Sequence, residues 1–384
     1  MDYLIKKVRK KDFSLYEIRS DERGVNPVRS PRQSRGIRPQ KGRITSNGVK
    51  RYIISTPQTR KICNIPEIMG FEYINTLQEG MKKILKNLPF QRFDDKSISV
   101  LHFLRGGLNF GLPFLLHEVY GFNRHFSSFI TSQRYRKKGK WSIKLDQYRK
   151  FSIPQDAHIF LGDVIATGTT IENGLGILYR RCQEEKKNIR NFIVFTIGCY
   201  KAEKILEKFD RLFKKSFDYE NTYLYYLEGR FGLPEKRKDF RICIPGTDLI
   251  RYPALLSPEF ELSQYERISY PLERCTIYDV GSRSFECLAH LEDVIDYWKK
   301  LSNTGMTLYE AYKERWPERE YSSFERLREA KKRTWKNMNS QLIKKLYEAY
   351  QRRWTPKRIR EAKKKNSLKK FCNQRIKEIK KLMK

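Results

Sequence analysis

The most regular pattern of apolar and polar positions lies near the middle of the chain. Ile159, Phe160 and Leu161 form an apolar run, and Gly162-Asp163-Val164-Ile165-Ala166 then leads into Thr167-Gly168-Thr169-Thr170. Beyond it, Ile171, Leu175 and Leu178 recur at helical spacing as far as Arg181. The pattern predicts a buried strand ending in an acidic residue, a tight Thr/Gly loop and a helix. Elsewhere the spacing predicts helices over Leu77 to Leu88 and Gly111 to Tyr120. It predicts strands over Ser97 to Leu104, Phe126 to Thr131, His158 to Leu161, Phe192 to Cys199 and Phe240 to Cys243. Strands alternating with helices predict an α/β fold with a parallel sheet and right-handed crossovers. Ligands in such sheets sit at the carboxyl ends of the strands, where Thr167 to Thr170 falls.

A strand, a short Thr/Gly loop and a helix make a phosphate cradle. The loop's backbone N–H groups and the positive end of the helix point at one anion, and the Thr hydroxyls add donors. Gly168 permits backbone angles that a side chain forbids. This stretch resembles the phosphoribosyl-pyrophosphate (PRPP) motif of type I phosphoribosyltransferases, in which apolar residues and usually two acids lead to Thr-Gly-x-Thr. Gly162 stands where the first acid is usual, which leaves Asp163 alone. The resemblance implies that Ala166, Thr167, Gly168, Thr169 and Thr170 hold the 5′-phosphate. It implies that Asp163 holds the ribose hydroxyls and the metal.

Two more segments follow the family's order. Leu104-Arg105-Gly106-Gly107-Leu108 comes directly after a predicted strand. It resembles the family's pyrophosphate loop, in the Leu-Arg-x-Gly-Leu version of uracil phosphoribosyltransferases. Gly106 and Gly107 let the backbone approach an anion, and Arg105 offers a forked donor. Ser132 to Trp141 carries Arg134, Arg136, Lys137, Lys138 and Lys140 where the family has a catalytic lid, and cations there can close over a leaving pyrophosphate. The implied fold is a parallel-sheet type I phosphoribosyltransferase core with a cap. The implied reaction is substitution at C1 of PRPP by a nucleobase-like nitrogen acceptor, with Mg²⁺ neutralising the leaving group. Ala166 occupies the place where purine-specific members carry an acid, which favours a uracil- or orotate-like acceptor. Family members are commonly dimers, so a homodimer is expected.

Charge changes the picture. The 384 residues hold 80 Lys/Arg against 44 Asp/Glu, a formal net charge of +36. Such an excess points to a polyanionic partner, DNA or RNA. It is concentrated at both ends: residues 1–50 hold 14 Lys/Arg against 5 Asp/Glu, and residues 301–384 hold 26 against 9. The expected organisation is a basic, partly flexible arm over 1–59 and a phosphoribosyltransferase-like domain over 60–300, with its cap from about residue 210. A basic helical region follows over 301–384. In that region Leu308-Tyr309-Glu310-Ala311-Tyr312, then Arg315-Trp316, recurs as Leu346-Tyr347-Glu348-Ala349-Tyr350, then Arg353-Trp354. Arg328 to Lys332 recurs as Arg360 to Lys364, which predicts two helix-turn-helix-like units.

Seven cysteines with no CxxC pair point to reduced thiols and a cytoplasmic protein. Met1 to Lys11 is too charged for a signal peptide, and no apolar run approaches a membrane span. The five histidines are scattered and read as structural. Two functions follow as expectations. One is an active PRPP-dependent transferase with nucleic-acid contact, in a specialised defence or mobile-element role. The other is a PRPP-sensing, nucleic-acid-binding regulator without turnover.

Overall fold

The computed structural model describes residues 2–20, 48–104, 110–131, 133–137, 140–145, 148–233, 249–273, 280–315 and 323–384. A hairpin, β1 (Asp2–Lys10) and β2 (Phe13–Ser20), precedes β3 (Lys50–Ser55), α1 (Pro57–Asn64) and α2 (Gly70–Leu85). Next come β4 (Ile98–Phe103), α3 (Leu112–Tyr120), β5 (Phe126–Ile130), the ribbon β6 (Gln133–Lys137) and β7 (Lys140–Leu145), and β8 (Arg149–Lys150). The centre holds β9 (Asp156–Ile165), α4 (Thr169–Glu184), β10 (Asn188–Cys199), α5 (Tyr200–Ser216) and β11 (Asn221–Gly232). After β12 (Ile250–Leu256) lie α6 (Pro258–Ser263), α7 (Ser269–Leu272), α8 (Val280–Phe285) and α9 (Cys287–Ser302). The chain closes with α10 (Leu308–Arg315), α11 (Phe324–Thr334), β13 (Trp335–Lys336), α12 (Ser340–Arg353), α13 (Pro356–Ala362) and α14 (Ser367–Lys381).

The large sheet runs β13-β1-β2-β3-β11-β10-β9-β4-β5-β8, with β12 paired to β11. Its inner six strands, β3-β11-β10-β9-β4-β5, are all parallel. Parallel strands covered on both faces need continuous apolar runs. Phe192, Ile193, Val194 and Phe195 of β10 are accordingly all fully buried. One face packs Phe160 and Ile193 with α2 and α3, and the other packs Leu161 and Val194 with α4 and α5. No described helix is long and apolar enough to cross a membrane.

The structure departs from the sequence pattern in four places. Residues 2–20, expected in a flexible arm, form two strands of the main sheet. Leu4, Phe13, Tyr16 and Ile18 turn into the core, while Lys6, Lys7, Arg9 and Lys10 stay exposed. The expected boundary at 59/60 falls inside α1. The second departure is β11, which lies in the expected cap region but is an interior strand of the sheet. Its tyrosines stack rather than alternate: Tyr225 lies 5.1 Å from Tyr52 and 5.2 Å from Phe195, ring centre to ring centre. Third, β9 continues two residues beyond Asp163, because β10 pairs with it as far as Ile165. Fourth, residues 323–384 are not set apart. Leu368, Cys372 and Ile379 share a core with Trp298, and Trp354 packs against Tyr309 and Tyr312. β13 pairs with β1, Leu4 opposite Trp335. Residues 21–47 and the expected strand at 240–243 lie outside the described residues.

Candidate phosphate-binding site

β9 brings Asp163 to the carboxyl end of the sheet, partly exposed, with Oδ1 accepting from the Val164 N–H at 2.7 Å. Ala166 and Thr167 follow, and Gly168 then takes the left-handed conformation at φ +79° and starts α4. A Cβ there meets both backbone strain and the Ile205 Cδ1, 2.2 Å away. Gly168 supplies no capping side chain, so the leading N–H groups of α4 face the loop. Thr167, Thr169 and Thr170 are partly exposed around them, with the Thr167 and Thr169 hydroxyls 3.4 Å apart. Backbone donors, hydroxyls and the helix dipole thus lie together at one helix start, an arrangement that suits an anion.

Gly162 explains the departure from the two-acid pattern. A Cβ at that position comes within 2.6 to 2.8 Å of the Phe110 Cβ, Cγ and Cδ1. Phe110 is fully buried, so its ring fills the space that an acidic side chain would need. The same contact sets Phe110 against β9, and the Leu104 N–H, just past β4, donates to the Ile130 carbonyl at 3.0 Å. Arg105, Gly106, Gly107 and Lys138 lie outside the described residues. Arg134 and Lys137 lie on β6, opposite Ile143 and Lys140 of β7, in a ribbon separate from the main sheet. The expected lid segment is therefore a β-ribbon over its described part.

Sequence reasoning missed the supports behind the loop. The Cys199 Sγ donates to the Ala166 carbonyl at 3.2 Å, and the Tyr226 hydroxyl donates to the Cys199 carbonyl at 3.1 Å and to Glu203 at 3.2 Å. Arg230 donates to that same Glu203 Oε1 at 3.0 Å, Arg51 binds Oε2 at 3.1 Å, and Arg230 also reaches Asp2 of β1 at 2.6 Å. These groups are far apart in sequence and belong to no motif. Polar residues at the carboxyl ends of neighbouring strands are the one signal that could have found them.

A second polar cluster surrounds α1. Glu228, four residues before the end of β11, is fully buried with φ +64°. Its carboxyl accepts from the Thr56 N–H at 3.1 Å, from the Thr59 hydroxyl, and from the Ser257 hydroxyl at 3.0 Å. Burial pushes it up to about 7, against the opposing pull of Arg60 and the hydroxyls. At the other end of α1, the buried Arg283 guanidinium donates to the carbonyls of Ile62, Ile65 and Ile68 at 3.0, 2.7 and 2.7 Å. It also lies 4.5 Å above the Tyr73 ring. Burial raises the Tyr73 phenol to about 12, with the charge of Asp163 among the lesser contributors. His102, on β4 before Leu104, is buried and stacked on Phe129, and burial lowers it to about 4, so it is neutral at physiological pH.

Among the described residues no three His, Cys, Asp or Glu side chains come together as a metal site. Asp163 offers a single partly exposed carboxylate. That fits Mg²⁺, which keeps several waters and binds through one or two carboxylates plus substrate phosphates.

The chain matches no family model and none of the curated proteins. Among solved structures it is similar to the AQ2163 protein from Aquifex aeolicus, at 17% identity over 47% of this chain and 89% of that one, with a TM-score of 0.32. It is also similar to a purine phosphoribosyltransferase from Pyrococcus horikoshii, at 12% identity over 41% and 89%, TM-score 0.23. A third is the xanthine-guanine-hypoxanthine phosphoribosyltransferase of Helicobacter pylori, at 15% identity over 41% and 88%, TM-score 0.22. Likeness at this level adds no weight to the geometry.

Proposed function

We propose that this protein transfers the phosphoribosyl group of PRPP to a nitrogen acceptor and releases pyrophosphate. The observation that carries the reading is the glycine-started N-terminus of α4, ringed by threonine hydroxyls and preceded by Asp163, at the carboxyl end of a parallel sheet. In this reading the 166–170 loop holds the 5′-phosphate and Asp163 the ribose hydroxyls. Arg105, Gly106 and Gly107 receive the pyrophosphate, and Arg134, Lys137 and Lys138 close over it. Asp163 would hold Mg²⁺, which would supply charge neutralisation at the leaving pyrophosphate. Asp163 also shields the cationic sugar as the C1–O bond loosens and the acceptor nitrogen attacks from the opposite face. The acceptor is a pyrimidine, uracil- or orotate-like, since Ala166 offers no acid to it. The basic N- and C-terminal regions contact DNA or RNA, the assembly is a homodimer in the cytoplasm, and the biological setting is a specialised defence or mobile-element role.

One observation favours a second reading. Phe110 fills the place of the first acid at position 162, which weakens the ribose grip and leaves the phosphate cradle intact. This is the arrangement expected of a PRPP-sensing, nucleic-acid-binding regulator. ³¹P NMR of PRPP and Mg²⁺ with the protein, adding nucleobases and then nucleic acid, separates the two. The transferase reading expects pyrophosphate with one acceptor and its loss, about 100-fold or more, in Asp163→Asn. PRPP signals that broaden without pyrophosphate in any arm would sink it and favour the sensor.

A further inference from the structure

We infer that the outward face of α14 is a docking surface for the phosphate backbone of double-stranded nucleic acid, gripped without reading bases. This deepens the nucleic-acid part of the reading above and is independent of its transferase part. The inner face of α14 is fixed to the body. Leu368, Cys372 and Ile379 are fully buried, and the Phe371 ring packs 5.9 Å from Trp298 of α9. Arg375 turns inward to Glu67 and Glu273 at 2.6 and 2.7 Å, with Glu378 beside it at 2.7 Å. These contacts fix the helix's rotation about its own axis, so its outer face has a set orientation.

That face is a lysine stripe. Lys369, Lys370, Lys377, Lys380 and Lys381 are all exposed, and among the described residues none makes an ion pair, Lys381 adding only its charge to the field at Glu378. At about 100° per residue they share an arc of about 120°, and at a rise of about 1.5 Å per residue they span about 18 Å. Solvated helix faces ordinarily mix signs, but residues 323–384 hold 23 Lys/Arg against 5 Glu. The one acid of α14, Glu378, is engaged by Arg375. Lysines at i,i+3 and i,i+4, such as Lys377 with Lys380 and Lys381, repel one another until a polyanion neutralises them.

The aromatic residues decide which polyanion. Single strands are gripped by exposed aromatic rings on which bases stack. Among residues 323–384 every aromatic is at least partly buried. Phe324 packs on Tyr347, Tyr350 on Tyr265, Trp354 on Tyr312 and Phe371 on Trp298, and Trp335 lies beneath Lys331. With no stacking platform, the stripe fits an uninterrupted row of phosphates on a duplex. A membrane surface fits poorly, because the apolar side that would enter a bilayer is already packed against the body.

The test uses the full chain and, as probes, a mixed-sequence duplex of about 20 base pairs as DNA and as RNA, the matching single strands, and phosphatidylserine vesicles. Lys369→Glu/Lys377→Glu/Lys380→Glu is compared with Lys186→Glu/Lys187→Glu/Lys215→Glu. The second set makes the same charge change at the amino end of the parallel strands. Lys370→Gln/Lys381→Gln, which adds no acid, checks that loss of binding is not loss of folding. The stripe variant is expected to bind duplex about tenfold or more weakly, with the slope of log affinity against log salt shallower by about 0.9 for each phosphate contact removed. The control variant is expected to match the wild type. Duplex DNA or duplex RNA binding alone supports the proposal and names the source. Equal loss in the control, single strands bound as tightly as duplex, or vesicles bound as well as duplex overturns it. Pyrophosphate release is read on the same samples, and its absence throughout, wild type included, defeats the transferase reading while leaving this surface standing.

Discussion

α1 and α4 begin the same way, at the carboxyl end of a parallel strand, and finish in opposite ways. At α1 the fold closes both helix ends with its own side chains. Thr56 and Thr59 form a reciprocal capping box, the Glu228 carboxyl sits at the positive end, and Arg283 takes the carbonyls at the negative end. At α4 the fold withholds a cap, starts the helix on glycine, and braces the loop from behind through Cys199. Opposite charges on the two ends of α1 are what a helix dipole rewards. The start of α4 keeps no such side-chain cap. The contrast is between a helix terminus closed by the fold's own side chains and one that the proposed reading assigns to an anion.

The sharpest way to break the contrast is Arg283→Ala, which takes the buried guanidinium from the Ile62, Ile65 and Ile68 carbonyls and should cost about 3–5 kcal/mol in denaturant unfolding. A loss under about 1 kcal/mol would mean that the closed end of α1 is ornamental. Next is the pH dependence of Glu228. Between pH 4.5 and about 7 the unfolded carboxyl is ionised while the buried one keeps its proton, so the folded state binds more protons. Stability therefore falls as pH rises through that window, by about 3 kcal/mol for this group. Urea midpoints in wild type and Glu228→Gln should converge at the acid end and separate toward neutral pH. Gly162→Ala forces a methyl into the Phe110 ring and should cost about 2 kcal/mol, and a neutral or stabilising result would show that the ring yields and that the missing acid has another cause. The smallest effect is Thr56→Ala, about 1 kcal/mol from the lost cap, with PRPP binding unchanged.

The strand, loop and helix of the candidate site were legible because they are local. Asp163 through Thr170 is one continuous strand, loop and helix, and its pattern needs no distant partner. The braces were illegible for the opposite reason. Cys199, Tyr226, Glu203, Arg230 and Asp2 meet only after β1, β10 and β11 are arranged side by side. β11 escaped notice because Asn221 to Gly232 carries tyrosines and charges where a buried parallel strand would ordinarily show aliphatic residues. The rings stack flat on their neighbours, which satisfies burial without an alternating pattern. The amino-terminal hairpin was hidden by its lysines, which are prominent in sequence yet occupy only its exposed positions. Gly162 looked like a deletion of function, and only the position of Phe110 shows it to be a packing choice.

The pairing of β1 with β13 bears on how the molecule is made. β1 has its partner strand at Trp335, more than three hundred positions further along the chain. Until that partner emerges, Leu4 and Ile5 on that flank of β1 lack their strand partner, an open template for another extended chain. Contacts of such sequence separation also slow folding. Chains interrupted before the last helices are therefore expected to be sticky rather than merely shorter, with chaperones guarding the interval between the first strand and its match.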